Sequence, residues 1–529
     1  MNLSRFLLVI VSFSSTCECG NIFLMPLDNG YNSRFMNMIK LGKILSDAGH
    51  HVTILISDQI ENDSLFKLSE SDHMNNRMSL IHYKKPVIDT TQDLNSLNQE
   101  WVNSLMETDP VDTLRGYGPL FDDIITHHLE DKTVWEKMEA THFDLIIADE
   151  MVYFARIVAA TFKIPLIIYS NWGPMTFDVD LVQRFNLAYV HTFLQPTTDS
   201  MSFSDRVSNV VEYFRLQSAM LEIYDSSIAI CRKHGHPRKT CDNIKDAYKT
   251  VSLVFINRND ALHYPVPFMP HVVSIEGFFL DKPKPLNQHY MDIVERAGED
   301  GIIVVSFGSM FRRLWPEIST TLARAFAAMP QIVIWSYEGP TPIGLGNNTI
   351  VSKWIPQEDL INHPATKLFV TQCGASSTFQ ALKYALPTIG VPLVWDQPYN
   401  CHKLTHRIKS AKSISLEGLT SEIFQRAMED VIKDKTYKEN ANKAAAIFLD
   451  QLVPARDKIT YWAEYVMRHK GAPHLRSQAA NNLNFTQYYL LDIFSLVCFT
   501  SVIIGVVIIT IANKVISFCK TSDKKNKYD

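Results

Sequence analysis

The sequence has no excess of positive charge. Its 529 residues include 51 lysines and arginines against 56 aspartates and glutamates, a net charge of −5, and its pI is near 6.4. Proteins that bind nucleic acid present a concentrated basic surface. The charge balance therefore argues against a nucleic-acid partner.

Cysteine is scarce, which argues against a disulfide scaffold. Of eight cysteines, two lie within the first 20 residues and two lie in or beyond an apolar segment near the C-terminus. The other four are Cys231, Cys241, Cys373 and Cys401, which do not form a disulfide framework. Cys231 and Cys241 are close enough in sequence to pair across a short loop, but two free buried thiols fit the sequence equally well.

Both ends of the chain carry uncharged apolar runs. Residues 1–20 carry a single charge, Arg5, ahead of an apolar stretch, and small residues follow that stretch, which predicts a cleaved signal peptide. A buried first strand is the alternative, but the next apolar run, residues 21–25, fits that role better. Residues 488–513 predict one transmembrane helix, because the part from 493 to 513 is uncharged and long enough to cross a bilayer.

The basic tail, residues 514–529, sets the predicted orientation. Five lysines against two aspartates predict a cytosolic tail and a lumenal body, as in a single-pass type I protein. Lys525 and Lys527 resemble a dilysine signal for return to the endoplasmic reticulum, although a stop-transfer segment ends in a similar tail. Three candidate glycosylation sequons also fit a lumenal body. They begin at Asn62, Asn347 and Asn484.

The middle of the chain, about 470 residues, is too long for one core and predicts two domains. Short apolar runs alternate with amphipathic stretches, a pattern typical of buried parallel strands joined by helices. We expect the α/β class, with two doubly wound Rossmann-like domains facing a cleft. The predicted segments are a first domain at residues 21–280, a linker at 281–290, a second domain at 291–452 and a C-terminal helix packing back on the body at 453–487. The predicted strands are 22–25, 52–57, 145–148, 166–170, 301–306, 331–336, 367–371 and 388–392.

The most informative stretch runs from Trp354 to Gln397. An apolar strand leads into small residues and then into a helix predicted at 377–385. Small residues let the backbone approach phosphate oxygens, and a helix N-terminus supplies unpaired N–H groups and the positive end of the helix dipole. Trp354 offers a flat face for a base, and Asp396 with Gln397 can bond sugar hydroxyls. The predicted ligand is a nucleotide sugar.

This stretch resembles the donor signature of the UDP-glycosyltransferases, which include animal UDP-glucuronosyltransferases and insect UDP-glucosyltransferases. Residues 304–310 and 455–472 resemble the same family. The resemblance implies a GT-B fold, with the acceptor bound by the first domain and the donor by the second. The implied UDP-sugar contacts are Gly308, Ser309, Trp354, Gln357, Gln372, Gly374, Ser376, Ser377, Gln380, Asp396 and Gln397.

Two of these positions depart from the family pattern. Gln372 stands where a histidine commonly contacts the diphosphate, and its amide N–H can still donate. Gln380 stands where a glutamate usually accepts hydrogen bonds from the ribose hydroxyls. A neutral amide accepts more weakly than a carboxylate, so we expect reduced donor affinity.

The family's catalytic histidine is missing. In the family it opens the first helix and takes the acceptor proton, and Arg34 occupies that position here. An arginine stays protonated and cannot act as the base. The acidic partner of the family's histidine corresponds to Asp149. Two interpretations stay open: Arg34 and Asp149 form an ion pair that only fixes the helix, or Asp149 or a histidine from elsewhere accepts the proton.

The resemblance thus implies an enzyme that transfers a hexose, glucose rather than glucuronate, from UDP-sugar to a small lipophilic acceptor with inversion. We expect no resident cofactor and no metal site. The alternative is a catalytically weakened relative that binds UDP-sugar or associates with active family members. In either case a homo- or hetero-oligomer is compatible with the sequence. A lumenal adhesion or receptor protein is disfavoured by the paired nucleotide-type sheets and the few cysteines. Five aromatic residues are candidates for an apolar acceptor pocket, with a place in the core as the alternative. They are Trp172, Phe177, Phe185, Tyr189 and Phe193.

Overall fold

The chain divides into two compact units, Met1–Leu475 and Arg476–Asp529. The computed structural model describes residues 19–27, 33–61, 75–84, 108–172, 186–192, 197–246, 250–309 and 311–525. The predicted signal peptide, apart from Cys19 and Gly20, lies outside the described residues, as do the Asn62 sequon and residues 526–529.

The first sheet has seven strands in the order β3-β2-β1-β4-β5-β6-β7. All neighbouring strands are parallel. Every residue of β4 and β5 is buried, because helices cover both faces of such a sheet. The strands are β1 (Asn21–Met25), β2 (His51–Ser57), β3 (Met78–Tyr83), β4 (Leu145–Asp149), β5 (Leu166–Ser170), β6 (Leu253–Ile256) and β7 (Val272–Ser274).

The second sheet has six strands in the order β10-β9-β8-β11-β12-β13, again all parallel. The prediction of two doubly wound sheets is confirmed. The sequence did not predict five strands. Four of them, β3, β7, β10 and β13, lie at sheet edges, where the apolar pattern is weaker, and the fifth, β6, lies inside the first sheet. The strands are β8 (Ile302–Ser306), β9 (Ile332–Ser336), β10 (Thr349–Ser352), β11 (Thr366–Thr371), β12 (Thr388–Gly390) and β13 (Ala411–Ser413).

Amphipathic helices cover both sheets. The first helix buries Phe35, Met38, Leu41 and Leu45, positions three or four residues apart on one face. The helices of the first half are α1 (Ser33–Asp47), α2 (Asp58–Glu61), α3 (Pro110–Gly116), α4 (Gly118–Glu130), α5 (Lys132–Ala140), α6 (Phe154–Phe162), α7 (Phe203–Lys233) and α8 (Arg238–Asp242). Those that follow are α9 (Gln288–Ala297), α10 (Pro316–Ala327), α11 (Gln357–Asn362), α12 (Ala375–Lys383), α13 (Gln397–His402), α14 (Ser421–Lys433), α15 (Lys435–Leu449) and α16 (Ala455–Arg468), with a π-helical turn at Lys403–Ile408 and a 3-10 turn at Pro473–Leu475.

Helix α12 begins two residues before its predicted start. Gly374 is the N-cap, with a φ of −60° and a non-helical ψ of 152°. Ala375 is therefore the first residue of the helix. It ends at Lys383 rather than residue 385, and Ala385 has a left-handed φ of 53°. Strand β12 ends at Gly390 rather than 392, because Pro392 has no N–H to donate to the sheet.

Helix α16 returns to the first sheet. It buries Ala455, Ile459, Ala463 and Val466 on one face, in an apolar cluster that also contains Leu24 of β1. Trp462 and Tyr465 are only partly buried against that cluster. The chain after the second sheet therefore stabilises the first.

The second unit contains one long apolar helix. Its helices are α17 (Gln478–Asn482), α18 (Phe485–Tyr488) and α19 (Leu491–Lys525). Among the described residues, α19 alone is long and apolar enough to cross a membrane, with a mean hydropathy of 2.7 over Leu491–Ser517. It begins three residues after the predicted start at 488 and continues into the basic tail.

The four body cysteines fall into two pairs. Cys231 at the end of α7 and Cys241 in α8 form a disulfide, which settles the choice that the sequence left open. Cys373 and Cys401 are free and buried.

Candidate active site

The carboxyl ends of four strands position the candidate site. In the first sheet the strand order reverses direction between β1 and β4, and in the second between β8 and β11. Ligands of doubly wound sheets bind at these switch points. Arg34 follows β1 and Asp149 ends β4, while Gly308 follows β8 and Gln372 follows β11. Both predicted halves of the site thus lie at switch points.

The N-terminus of α12 has the form of an anion cradle. Gly374 caps the helix without a side-chain hydrogen bond, so the first-turn N–H groups keep their capacity to donate. The Ser376 hydroxyl oxygen is buried and has no hydrogen-bond partner among the described residues. Helix dipole and N–H groups together favour a bound anion.

The Gln372 amide lies over two glycines of this cradle. Its oxygen accepts a hydrogen bond from the Thr371 hydroxyl at 2.9 Å, which fixes the amide orientation. A Cβ at Gly374 would lie 3.1 Å from the Gln372 amide nitrogen, and one at Gly308 would overlap it. Gly308 also has a φ of +73°, which glycine adopts without strain. Ser309, the next residue, is half-buried, and its carbonyl accepts from Arg312 at 3.2 Å.

Gln357, Ser377 and Gln380 form one polar group beside the cradle. The Gln357 amide nitrogen donates to the Gln380 side-chain oxygen at 2.6 Å and lies 3.4 Å from the Ser377 hydroxyl. Trp354, three residues before Gln357, is 62 % exposed. An exposed indole beside polar side chains provides a stacking surface with hydrogen-bonding groups at its edge.

Asp396 and Gln397 have different local roles. The Asp396 carboxylate accepts a hydrogen bond from the Asn400 amide at 2.6 Å. The Gln397 side-chain oxygen accepts from the backbone N–H groups of Leu393 and Val394 at 3.0 and 3.1 Å. Gln397 therefore holds its own loop, and its amide N–H groups are the part that can donate to a ligand.

Burial raises the pKa of Asp396 to about 6. The hydrogen bond from Asn400 and the positive charges of Arg34 and Lys403 act in the opposite direction and lower it, but burial has the larger effect. The hydrogen-bonding capacity of an ionised Asp396 toward a sugar is therefore present above pH ~6 and lost as the pH falls through that value. We expect UDP-sugar affinity to fall between about pH 7.5 and 5 more steeply than UDP affinity. Calorimetric titration of both ligands checks this, and parallel pH profiles would contradict it.

Arg34 and Asp149 form a two-point ion pair. The Arg34 Nε donates to one Asp149 oxygen at 2.5 Å and its Nη2 donates to the other at 2.8 Å. Asp149 is fully buried and also accepts from the Met151 N–H at 3.0 Å. Burial opposes the charge of Arg34, but the Asp149 carboxylate outweighs it and the pKa of Arg34 is raised. Both carboxylate oxygens of Asp149 are thus engaged.

Glu150 is a further residue of this site that was not predicted from the sequence. Its carboxylate lies 3.4 Å from Arg34 Nη2 and accepts from the Ser170 hydroxyl at 2.9 Å. The signal that could have identified it is a second acid directly after Asp149, at the end of a buried strand. Arg34 therefore lies between two carboxylates.

Aromatic rings connect the two halves of the site. The Arg34 guanidinium lies 4.7 Å from the ring centre of Trp172, which lies 6.1 Å from Trp395. Trp395 in turn stacks on Tyr117 at 5.7 Å. Of the other predicted acceptor aromatics, Tyr189 is 38 % exposed. Phe177, Phe185 and Phe193 lie outside the described residues.

His191 and His263 are buried histidines elsewhere in the body. His263 is engaged at both ring nitrogens, by the Asn259 carbonyl at 2.8 Å and by Lys403 Nζ at 2.9 Å. The ring nitrogens of His191 have no hydrogen-bond partners within the described part of the chain, and its ring stacks 5.2 Å from Tyr399. Burial lowers the pKa of His191 to about 4. These environments favour neutral histidines packed in the core.

The two described sequons lie on the surface. Asn347 and Asn484 are both exposed. Asn484 also caps α18, where its side-chain oxygen accepts from the Gln487 N–H at 2.9 Å. Both side chains are accessible to a modifying enzyme.

The sequence matches known glycosyltransferases along nearly its whole length. Residues 20–528 match the family model described as UDP-glucoronosyl and UDP-glucosyl transferase. The chain is 30% identical to human UDP-glucuronosyltransferase 2A2 over 509 residues, 92% of this chain and 91% of that protein. It is 31% identical to human UDP-glucuronosyltransferase 2B7 over 519 residues, 94% of each.

Solved structures show the same architecture at low sequence identity. Glycosyltransferase VinC in complex with DTDP superposes with a TM-score of 0.57 at 15% identity, over 85% of this chain and 100% of that one. The calicheamicin glycosyltransferase CalG4 gives the same TM-score and identity, over 84% and 98%. These likenesses establish the GT-B fold. The chain belongs to the UDP-glucuronosyl and UDP-glucosyl transferase family and is a UDP-dependent glycosyltransferase.

Proposed function

We propose that this enzyme transfers glucose from UDP-glucose to small lipophilic acceptors whose hydroxyl is acidic, with inversion at the anomeric carbon. Donor binding is supported mainly by the α12 cradle. The N-terminus of α12 has no side-chain cap, and the Gln372 amide lies beside it, next to Gly308 and Gly374. These groups stabilise the negative charge that develops on the diphosphate as UDP leaves. UDP-sugar is a co-substrate, and we propose no resident cofactor.

The charges around Asp396 support glucose over glucuronate. The carboxylate of glucuronate requires a cation that is able to pair with it, because a buried unpaired charge is costly. Among the described residues, Arg34 and Lys403 are the cations whose charges act on Asp396, and both already have partners. Arg34 is paired with Asp149, and the buried Lys403 bonds His263. The uncharged hydroxymethyl group of glucose imposes no such demand.

The fate of the acceptor proton follows from Arg34 and Asp149. In the reaction the acceptor oxygen forms a bond to the anomeric carbon, and the bond from that carbon to the phosphate oxygen breaks. Arg34 cannot take the proton, and Asp149 is held by three donated hydrogen bonds. We therefore propose acceptors, such as acidic phenols, that lose their proton to solvent.

We propose that α19 anchors the enzyme in the endoplasmic reticulum membrane with the catalytic body in the lumen. Leu491–Ser517 is long and apolar enough for one crossing, and the lysines that follow favour the cytosolic side. The Cys231–Cys241 disulfide fits an oxidising compartment.

Two substitutions test the donor assignment. We expect Trp354→Ala to weaken all uridine nucleotides by ~1–3 kcal/mol, the range for one base stacked on an aromatic ring. Asp396→Ala should weaken UDP-glucose but leave UDP almost unchanged, because only the sugar reaches that carboxylate. Calorimetric titration of UDP and UDP-glucose separates the two effects. Equal loss of UDP affinity in both variants would contradict this assignment.

A third substitution tests the ribose site. Gln380→Glu should tighten UDP by about 1 kcal/mol, because a carboxylate accepts hydrogen bonds from the ribose hydroxyls more strongly than an amide. The Gln357 amide already donates to this position at 2.6 Å and would hold the new carboxylate in place. Weaker UDP binding by Gln380→Glu, measured in the same titration, would mean that the ribose is held elsewhere.

A weakly active protein that mainly binds UDP-sugar is the second candidate. The engaged Arg34–Asp149 pair favours it, because the acceptor side then lacks a base. Incubation with radiolabelled UDP-glucose and a panel of phenols separates the two. Product with acidic phenols supports the first candidate, whereas UDP-dependent thermal stabilisation without product supports the second.

A further inference from the structure

Two free thiols lie directly behind the proposed donor site. Cys373 separates Gln372 from Gly374, and Cys401 lies in α13, four residues after Gln397. Their exposed fractions are 0% and 1%. One thiol therefore belongs to the loop that leads into the α12 cradle, and the other to the helix that begins at the proposed sugar contacts.

The two sulfurs meet over Gly390, the last residue of β12. A Cβ at Gly390 would lie 2.6 Å from Cys373 Sγ and closer still to Cys401 Sγ. The Cys373 thiol lies 4.0 Å from the Thr371 carbonyl oxygen. Interaction with Cys373, and with Ser413, lowers the pKa of Cys401 against the effect of burial, whereas burial raises the pKa of Cys373. Only glycine leaves room for both sulfurs at this point.

The backbone of Cys373 is strained. Its φ is +65°, in the left-handed region that residues with a Cβ rarely adopt. Such residues collect at ligand clamps and switches, where the surrounding structure holds them. Here the strained residue immediately precedes the N-cap of α12, so any shift of Cys373 is passed to the anion cradle.

We propose that Cys373 and Cys401 form a reversible disulfide that links the loop before α12 to helix α13 and lowers donor affinity. This inference rests on the proposed function of the same site. A disulfide brings two sulfurs to ~2 Å, closer than a thiol hydrogen bond, so it draws Cys373 toward α13 and displaces Gly374.

The oxidant is a small disulfide such as glutathione disulfide. The Cys401 thiolate attacks one sulfur of that disulfide, which forms a mixed disulfide and releases one glutathione thiolate. Cys373 then gives up its proton, and its sulfur attacks Cys401 Sγ and releases the second glutathione. Two protein thiols are oxidised and one disulfide is reduced to two thiols. Because both cysteines are buried, the loop must open first, and bound UDP should slow the reaction.

The test compares full-length enzyme incubated with reduced or oxidised glutathione. Free thiols are then blocked by alkylation in denaturant, and unreduced peptides are mapped by mass spectrometry. We expect a peptide that links Cys373 to Cys401 only after oxidation, and slower linkage with UDP present. The Cys231–Cys241 linkage is the internal control. Oxidised enzyme should bind UDP about tenfold more weakly than reduced enzyme, comparable to one lost hydrogen bond.

Cys401→Ser supplies the matched control, since it keeps a small polar side chain in α13. It should bind UDP like the reduced wild type and show no response to oxidised glutathione. The proposal is overturned if wild-type Cys373 and Cys401 stay fully alkylatable after oxidation, or if the linked enzyme binds UDP as well as the reduced one. Failure of the reduced enzyme to bind UDP would instead refute the proposed function. The wild-type peptide map needs no variant, so a misfolded Cys401→Ser protein does not remove the test.

Discussion

Arg34→His is expected to raise turnover of weakly acidic alcohols by about 10²-fold or more, the usual contribution of a positioned base. Asp149 is fully buried at the end of β4 and already holds the side chain at position 34 through both of its oxygens. An imidazole at that position would be oriented by the same carboxylate, which would stabilise the imidazolium formed during transfer. The measurement is kcat with an aliphatic alcohol and UDP-glucose.

Three controls isolate the base. Arg34→Lys keeps a cation but adds no base at neutral pH, and should show no gain. Strongly acidic phenols should gain little from Arg34→His, since they ionise unaided. Asp149→Asn in the Arg34→His background should abolish the gain. A loss of substantial wild-type activity in Arg34→His would mean that the chain has its own working arrangement built on Arg34.

Gly308→Ala should lower UDP affinity by about 10²-fold, the loss of one or two hydrogen bonds to a charged group. Its added Cβ would overlap the Gln372 amide nitrogen and displace it from the cradle. Calorimetric titration with UDP measures the effect.

Gly418→Ala is the matched control. Gly418 has a similar φ of +66°, but a Cβ there would have no described heavy atom within 4 Å. Both variants carry ~1–2 kcal/mol of backbone strain, measurable by denaturant unfolding. UDP affinity should fall in Gly308→Ala alone. Equal affinities in the two variants would show that the Gln372 amide does not contact the diphosphate.

The sequence predicted most of the buried strands of both sheets, although it missed β6, whose four residues are all buried. Fully buried strands such as β4 and β8 are short continuous apolar runs, and small residues before a helix predict an anion site. The predicted donor residues of 354–397 include Gln357 and Gln380, which the structure places in contact. Edge strands such as β10 were missed because only part of their surface is buried.

Contacts between distant residues could not be predicted from the sequence. The Arg34–Asp149 pair was one of two interpretations, since 115 residues separate its members, and Glu150 gave only a weak signal. The sequence predicted that Gln397 bonds the sugar, but it gave no sign that the side-chain oxygen accepts hydrogen bonds from the loop before it. Side-chain choices of this kind depend on loop packing rather than on periodicity.

The dependence of wild-type kcat/KM on the pKa of the acceptor shows whether the enzyme has a base of its own. It is measured with UDP-glucose and a series of phenols of similar size. An enzyme without a base relies on the acceptor to ionise, so we expect kcat/KM to fall steeply as the phenol pKa rises above the assay pH. Arg34→His should flatten that dependence. A flat wild-type profile would contradict the proposed mechanism, because it would show that a base already acts in the Arg34–Asp149 site.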